Sequence, residues 1–349
     1  MRKRFLALLL LLALLLGACG EASDAPRASG GADSLLVHFI DVGQADCTLI
    51  ECGGQYMLID GGNKADGQLV VSYLEQQGVE ELEAVVCTHA HEDHVGGLPS
   101  VLAVYPVKAV YAPTRTYASN IFDDFVYYTD QQGLEITLPV LGDTISLGGA
   151  TATVLGPVKS YAETNDTSIV LRLDFGQTSF LFTGDMEVAA ENDMLDYWEG
   201  RPGLFDVDVL KVGHHGSDTS TGYRFLYEAS PDYGVICVGA GNSYGHPHEE
   251  PLSRLKQAGV TLLRTDELGT ILACSDGNQI QFTWANQLAQ PQDVEPEEPA
   301  AESYIGNKNS QKFHSPDCTN LPAEKNRVDF SSYQEAIDAG YTPCGNCLG

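Results

Sequence analysis

The sequence predicts an α/β protein in which two mixed sheets are covered on their outer faces by helices, a four-layer sandwich. Three observations carry this. Between Asp33 and Trp284, short apolar runs punctuated by glycine dominate both ends. Helical patterns are interspersed among these runs rather than grouped. The chain has 349 residues, 43% of them hydrophobic, enough to bury a core without disulfide staples.

Taken in order, residues 35–40, 47–51 and 56–59 read as an opening β-meander. Residues 68–77 have helical spacing, and the apolar run 84–87 reads as a buried strand. Further strands are expected at 107–111, 151–155, 168–174, 179–183, 207–212, 233–238, 261–265, 270–275 and 279–284. Helices are expected at 98–104, 121–131, 188–197, 223–228 and 249–258.

The ends differ in composition. Arg2, Lys3 and Arg4 precede a Leu-rich run too short to span a bilayer as a helix, and Leu16-Gly17-Ala18-Cys19 resembles a bacterial lipobox. Residues 1–19 are therefore expected to be a lipoprotein signal with Cys19 as the lipidated residue, or else an ordinary signal cleaved after Ala18. Export is expected on either reading, as an outward-facing lipoprotein or a secreted protein. Residues 20–33 would be a tether, 34–285 the main domain, 286–302 an acidic Pro-rich linker and 303–349 a separate small module.

With 48 acidic against 19 basic residues, the chain carries a formal charge of −29. That argues against a nonspecific electrostatic coat on DNA, which needs cationic contacts with phosphates. It does not exclude chemistry on a phosphodiester, because a site can bring its charge as metal ions. The composition also excludes a disordered chain or a polytopic membrane protein.

The strongest chemical signal is Thr88-His89-Ala90-His91-Glu92-Asp93-His94, directly after an expected strand. Three imidazoles and a carboxylate in six residues form a dense set of ligands for Zn²⁺ or Mn²⁺. From a strand end, His89 and His91 can reach one metal, and Asp93 and His94 a second, with Glu92 toward solvent. Gly96-Gly97 would let the backbone turn tightly into the next helix.

At these residues the chain resembles the metallo-β-lactamase superfamily, whose signature is His-x-His-x-Asp-His after a strand. The resemblance runs over about residues 34–282, and further segments support it. His38 to Asp46 resembles the opening motif of the branch containing the hydrolase domain of ComEC-type competence proteins. Leu58-Ile59-Asp60-Gly61-Gly62 resembles the turn after the third strand. Thr183-Gly184-Asp185 resembles the segment carrying the carboxylate that bridges both metals. Lys211 to Ser217, with its His214-His215 doublet, and Tyr244-Gly245-His246-Pro247 complete the likeness.

The resemblance implies an αββα hydrolase with two divalent metals, Zn or Mn. Its ligands would be His89, His91, Asp93, His94, Asp185 and His214, with His215 the alternative to His214. Water on such metals falls to a pKa of about 7, so a bridging hydroxide can attack at neutral pH. Asp93, Asp185 and His246 would be the catalytic group, His246 contacting phosphate or protonating the leaving group. Asp41, Asp46 and Asp60 would accept from ligand histidines or cap turns, and Ser217 would donate to phosphate or cap a helix. One departure stands out. Many family members carry a histidine before the strand leading to Gly-Asp, whereas this chain reads Glu163-Thr164-Asn165-Asp166-Thr167-Ser168. An oxygen from Asn165 or Asp166 there would shift one position from Zn²⁺ toward Mn²⁺.

In the terminal module, His314, Cys318, Cys344 and Cys347 supply a Cys3His set for one structural zinc. The flanking residues resemble small zinc modules similar to the Ada metal-binding domain, and the rival reading is a disulfide among these cysteines. Cys47, Cys52, Cys87, Cys237 and Cys274 are expected as buried thiols. The leading expectation is an exported phosphodiesterase or nuclease acting on DNA or nucleotides, held to the membrane by its lipid anchor. The alternatives are a phosphocholine or teichoic-acid phosphodiesterase at the cell wall and a metal-stabilised binding module. No protein partner is indicated.

Overall fold

The computed structural model describes residues 34–285 and 303–348. The leader with Cys19, the tether and the linker 286–302 lie outside the described residues. In chain order the first half comprises β1 (Leu35–Phe39), β2 (Thr48–Cys52), β3 (Gln55–Ile59), α1 (Gly67–Gln76), β4 (Ala84–Val86), α2 (Glu92–Val95), α3 (Leu98–Val104), β5 (Val110–Tyr111), α4 (Asn120–Gln131) and β6 (Ile136–Thr137). There follow β7 (Thr144–Leu147), β8 (Ala150–Gly156), β9 (Val170–Phe175), β10 (Thr178–Phe182), α5 (Val188–Tyr197), β11 (Val209–Lys211), α6 (Tyr223–Ala229), β12 (Tyr233–Ile236), α7 (Glu249–Gln257), β13 (Thr261–Arg264) and α8 (Thr265–Leu268). β14 (Ile271–Ser275) and β15 (Ile280–Trp284) then return to the first sheet.

The first sheet runs β15-β14-β1-β2-β3-β4-β5-β6 and the second β13-β12-β11-β10-β9-β8-β7. Three apolar clusters separate four layers. Leu35, Val37, Phe39, Met57, Ile59, Phe180 and Phe182 pack between the sheets. Leu49, Leu58 and Val85 face the opposite side of the first sheet, against Leu74, Leu98 and Phe125 of the helices. Leu181 and Leu210 likewise meet Met194, Phe225 and Leu255 on the outer face of the second. Both faces of the central strands are covered, so successive residues are buried, and this is why they read as continuous apolar runs.

The expected elements 98–104 and 188–197 coincide with α3 and α5, and others differ by a residue or two at their ends. The expected strand 107–111 begins only at Val110, because Val107 makes an isolated bridge to Leu82. β6 and β7 were not expected, being too short for a pattern to stand out. Gly96 and Gly97 serve close packing rather than a tight turn: a Cβ would lie 2.3 Å from Lys64 N at the first and 2.0 Å from Gly61 O at the second.

The C-terminal segment forms β16 (Tyr304–Asn307), β17 (Lys312–His314), β18 (Arg327–Phe330), α9 (Tyr333–Asp338) and β19 (Thr342–Pro343), with sheet order β18-β16-β17-β19. Its core is small, with Tyr304, Phe313, Phe330 and Tyr333 at its centre. It meets the four-layer sandwich at α6, where Tyr227 stacks on Tyr333 at 5.1 Å and its hydroxyl donates to Gln334 Oε1.

Candidate metal centre

The site lies where parallel strands end. β3 delivers Asp60, β4 the 88–94 loop, β10 Asp185, β11 the 213–217 loop and β12 the loop bearing His246. Three residues here hold left-handed backbone, Asp60 (φ 58), His214 (φ 51) and His215 (φ 54). Such strain in residues other than glycine persists where surrounding contacts impose it, and it gathers at functional sites.

Asp93, His94, Asp185 and His215 bring one ligand atom each within 4.8 Å of one another. His94 Nε2 lies 3.2 Å from Asp185 Oδ2, and His215 Nε2 lies 3.2 Å from Asp93 Oδ2 and 3.5 Å from Asp185 Oδ2. The far sides of both imidazoles are tied. His94 Nδ1 stands 2.8 Å from Asp60 Oδ2, and His215 Nδ1 stands 2.9 Å from the Cys237 carbonyl oxygen and 3.3 Å from Asp46 Oδ1. Asp60 in turn accepts from the Thr88 amide and hydroxyl, both at 2.7 Å. Those ties aim both Nε2 atoms inward, the arrangement ligating histidines use. His89 and His91 sit beside this quartet, their rings 4.8 Å apart with His89 Nε2 3.1 Å from His91 Nδ1.

The structure thus exchanges the members of the histidine doublet. His215, buried, takes the place given to His214 in the sequence reading. His214, less buried, also lines the cavity, with Nδ1 3.1 Å from Thr219 Oγ1 and Nε2 3.8 Å from Asp185 Oδ2.

The model of the metallo-beta-lactamase superfamily matches residues 40–240. The chain belongs to this superfamily. It is 30% identical over 254 residues to ComE operon protein 3 of Bacillus subtilis, covering 67% of this chain and 32% of that one. It is 30% identical to competence protein ComA of Neisseria gonorrhoeae, over 66% of this chain and 31% of the relative. It is 32% identical to recombination protein 2 of Haemophilus influenzae, over 63% and 26%. The chain therefore spans about a third of these relatives or less. Among solved structures, the metallo-beta-lactamase fold protein YhfI of Bacillus subtilis aligns over 72% of this chain and all of that one, with a TM-score of 0.46 and 14% identity.

The donor set of this metallo-beta-lactamase domain fits divalent cations on physical grounds. Burial alone would lower the His94 and His215 pKa values. The carboxylates of Asp185, Asp60 and Asp93 instead raise His94 well above its ordinary value, and Asp185 and Asp46 raise His215 to about 10. Burial would raise Asp185, but His94 and His215 hold it well below the carboxylate range. A cluster that attracts protons this strongly is one that a cation would satisfy by displacing them. Asp185 Oδ1 and Asn165 Oδ1 are, in addition, buried acceptors with no hydrogen-bond donor.

Other sequence-predicted residues divide. Asp46 and Asp60 support histidines as described, while Asp41 accepts only the Gly43 amide of its own turn, at 3.1 Å. Asn165 lines the pocket and donates its amide to Glu187 Oε1 at 3.1 Å. Asp166 instead accepts the Glu187 amide at 3.1 Å, at the start of α5. Ser217, buried, closes its own turn with Thr219, the hydroxyls 3.0 Å apart, and does not line the pocket. His246 does line it, its Nδ1 3.4 Å from Gln44 Nε2. Burial, then His214 and His215, lower its pKa to about 4, which disfavours the protonated imidazole.

Two residues without an assigned role prove integral. Lys211, 3% exposed at the end of β11, forms an ion pair with Asp46. Its ammonium offsets one of four buried or half-buried acids, Asp46, Asp60, Asp93 and Asp185. A lone lysine closing an apolar strand was the available signal. Glu187 accepts from Asn165 and from Thr219 Oγ1, the latter at 3.2 Å, joining two loops of the site. Nothing in the sequence separates it from a surface acid.

In the terminal module His314, Cys318, Cys344 and Cys347 converge within 4.8 Å, and His314 Nδ1 lies 3.3 Å from Cys318 Sγ. The described cysteines are all unpaired, and Cys47, Cys52, Cys87 and Cys237 are buried thiols. This Cys3His cluster fits a second, separate metal site.

Proposed function

We propose that this metallo-beta-lactamase domain hydrolyses phosphodiesters, of DNA or nucleotides, at two divalent cations. The observation that carries the reading is the quartet Asp93, His94, Asp185 and His215 beside the pair His89 and His91, with Asp93, Asp185, His215 and His91 lining an open cavity of about 560 Å³. Bound cations would supply Lewis acidity toward water and toward a phosphoryl oxygen. The chain's own part is positional. Asp60, Asp46 and the Cys237 carbonyl aim the imidazoles, Asp185 faces both His94 and His215, and Gln44 and His246 offer polar contacts to a substrate across the cavity. The names of the relatives, competence and recombination proteins, support a nucleic-acid phosphodiester. The orphan oxygen of Asn165, where many family members have histidine, supports Mn²⁺ over Zn²⁺ at one position.

The terminal Cys3His cluster would hold a structural zinc. The basic, apolar leader ending in Cys19 supports an exported protein anchored by lipid. Among the described residues no helix is long and apolar enough to cross a membrane. The test is a panel of single-stranded DNA, bis(4-nitrophenyl) phosphate, 4-nitrophenyl phosphocholine and a cephalosporin, with the protein loaded with Mn²⁺ or Zn²⁺. Turnover of the first two is expected. Selective turnover of the choline ester moves the substrate to the cell wall, and absence of phosphodiester turnover overturns the reading.

A further inference from the structure

The mouth of the cavity carries an aromatic shelf that the metal chemistry does not use. Tyr244 lines the cavity with 68% of its surface exposed, and its ring is stacked on His246 at 5.7 Å and 26°. An exposed large aromatic is ordinary by itself. This one is held in place by a loop built for the purpose. Asn242 Oδ1 accepts the amides of Tyr244 and His246, both at 3.1 Å. The same side chain donates to the carbonyl oxygens of Gly239 and His246. One side chain thus makes four bonds that fix the loop. His248 Nε2 stands 3.3 Å from the Tyr244 carbonyl oxygen, and Gly245 (φ +77) supplies the reversal between the two rings.

A second observation concerns charge. The cavity is lined by amide, imidazole, carboxylate and tyrosine side chains, and neither lysine nor arginine is among them. Lys211, the nearest site cation, is buried against Asp46. A phosphodiester bound here has only the metals to neutralise it, and Glu92 and Asp93 repel any further phosphate. Whatever affinity the rest of a nucleotide gains must come from contacts without charge. Stacking of a base on an aromatic ring is such a contact, contributing about 1–3 kcal/mol by alanine substitution and tolerant of base identity.

We propose that Tyr244, backed by His246, is a stacking subsite for the nucleobase adjoining the scissile phosphodiester. It makes the enzyme depend on a base beside the bond rather than on a charged backbone groove. The proposal rests on the nucleic-acid reading above and adds the part of the substrate recognised.

The test uses the full metal-loaded chain with single-stranded oligonucleotides that either carry a base beside the cleaved linkage or are abasic there. Tyr244→Ala is expected to raise KM for the base-bearing strand about tenfold with kcat little changed, and Tyr244→Phe and Tyr244→Trp to restore it. On the abasic strand, wild type and Tyr244→Ala should have the same, higher KM. Wild-type KM should rise less than about tenfold between about 50 and 200 mM salt, against the far steeper loss of a protein making many phosphate contacts. Turnover with an unchanged KM in Tyr244→Ala, or a deficit equal on base-bearing and abasic strands, overturns the subsite and leaves the nuclease reading standing. Failure of wild type to cleave either strand removes that reading and the subsite with it.

Discussion

Among the described residues, both the main domain and the terminal module gather side chains able to hold metal, and the two gatherings are built on opposite principles. In the hydrolase domain the ligands come from positions 89 to 215, delivered by strand ends in two sheets whose three apolar clusters exist independently of any ion. In the terminal module the ligands lie within residues 314–347, around a core with few buried apolar residues. The first scaffold can impose cost on its site, and it does so with left-handed histidines, crowded carboxylates and a buried lysine. The second has a much smaller core, and a metal held by its thiols and imidazole would contribute to folding. On this comparison, one fold would give up stability to bind metal and the other would draw stability from it.

The largest effect should separate the two. Asp185→Ala is expected to lower phosphodiester turnover at least about 10³-fold, because metal-dependent charge stabilisation supplies several kcal/mol. The variant should still unfold cooperatively, since Asp185 belongs to none of the apolar clusters. Loss of fold measured by circular dichroism would show that the hydrolase scaffold also needs its metal, and would break the comparison.

The opposite variant, Cys344→Ser with Cys347→Ser, should lose about one equivalent of metal and unfold the module. Structural zinc contributes on the order of 10 kcal/mol in small zinc domains, more than a module of this size holds in reserve. Proteolysis should then remove the C-terminal residues while the hydrolase core survives. Resistance of the module in the double variant would mean that docking on Tyr227 suffices to hold it.

Between these extremes lies a buried acid satisfied without a cation. Glu191 on α5 is 1% exposed and accepts the amides of Thr221 at 2.5 Å and Gly222 at 2.8 Å. Burial outweighs those bonds and the nearby Arg254, and raises its pKa to about 7 from an ordinary 4.5. A raised carboxyl contributes its stability in the protonated form, fully below about pH 4.5, and that contribution is lost as pH rises through 7. At about 1.4 kcal/mol per unit, the loss amounts to about 3 kcal/mol. Denaturant titrations at pH 5 and 8 should show it in wild type and not in Glu191→Gln. Parallel pH profiles of the two proteins would refute the assignment.

How much of this was legible depended on the range of the contacts involved. The four-layer fold announced itself because central strands buried on both faces give continuous apolar runs. His-x-His-x-Asp-His compresses four of the six ligands into six residues, and the module's ligands fall in two short spacings. The His214–His215 choice was not legible, because it depends on two consecutive left-handed residues and on the Cys237 carbonyl 22 positions away. Of the two roles open to Ser217, phosphate donor or cap, its bonds to the Thr219 hydroxyl and amide show a local one. Lys211 and Glu187 act through partners 165 and 22 residues distant, which local spacing does not record.

The smallest predicted effect tests the comparison inside the hydrolase site itself, where the two metal positions are unequal. Four side chains converge in the quartet, whereas His89 and His91 lie outside it, with the His94 ring 4.1 Å from that of His89 and the Asn165 amide in the same cavity wall as His91. Glu187 takes the Asn165 amide N–H, which leaves the amide oxygen as the end free to face the cavity. Fewer and harder donors bind Zn²⁺ less tightly, so one equivalent should survive dialysis and the second should leave. Asn165→His should retain the second equivalent and tighten Zn²⁺ about tenfold, read by metal analysis and calorimetry. Glu187→Gln should weaken the second equivalent, because a glutamine can present its own N–H to Asn165 and reverse the amide. Two equivalents held equally by wild type would show that Asn165 already serves as a full ligand, and the inequality between the two positions would disappear.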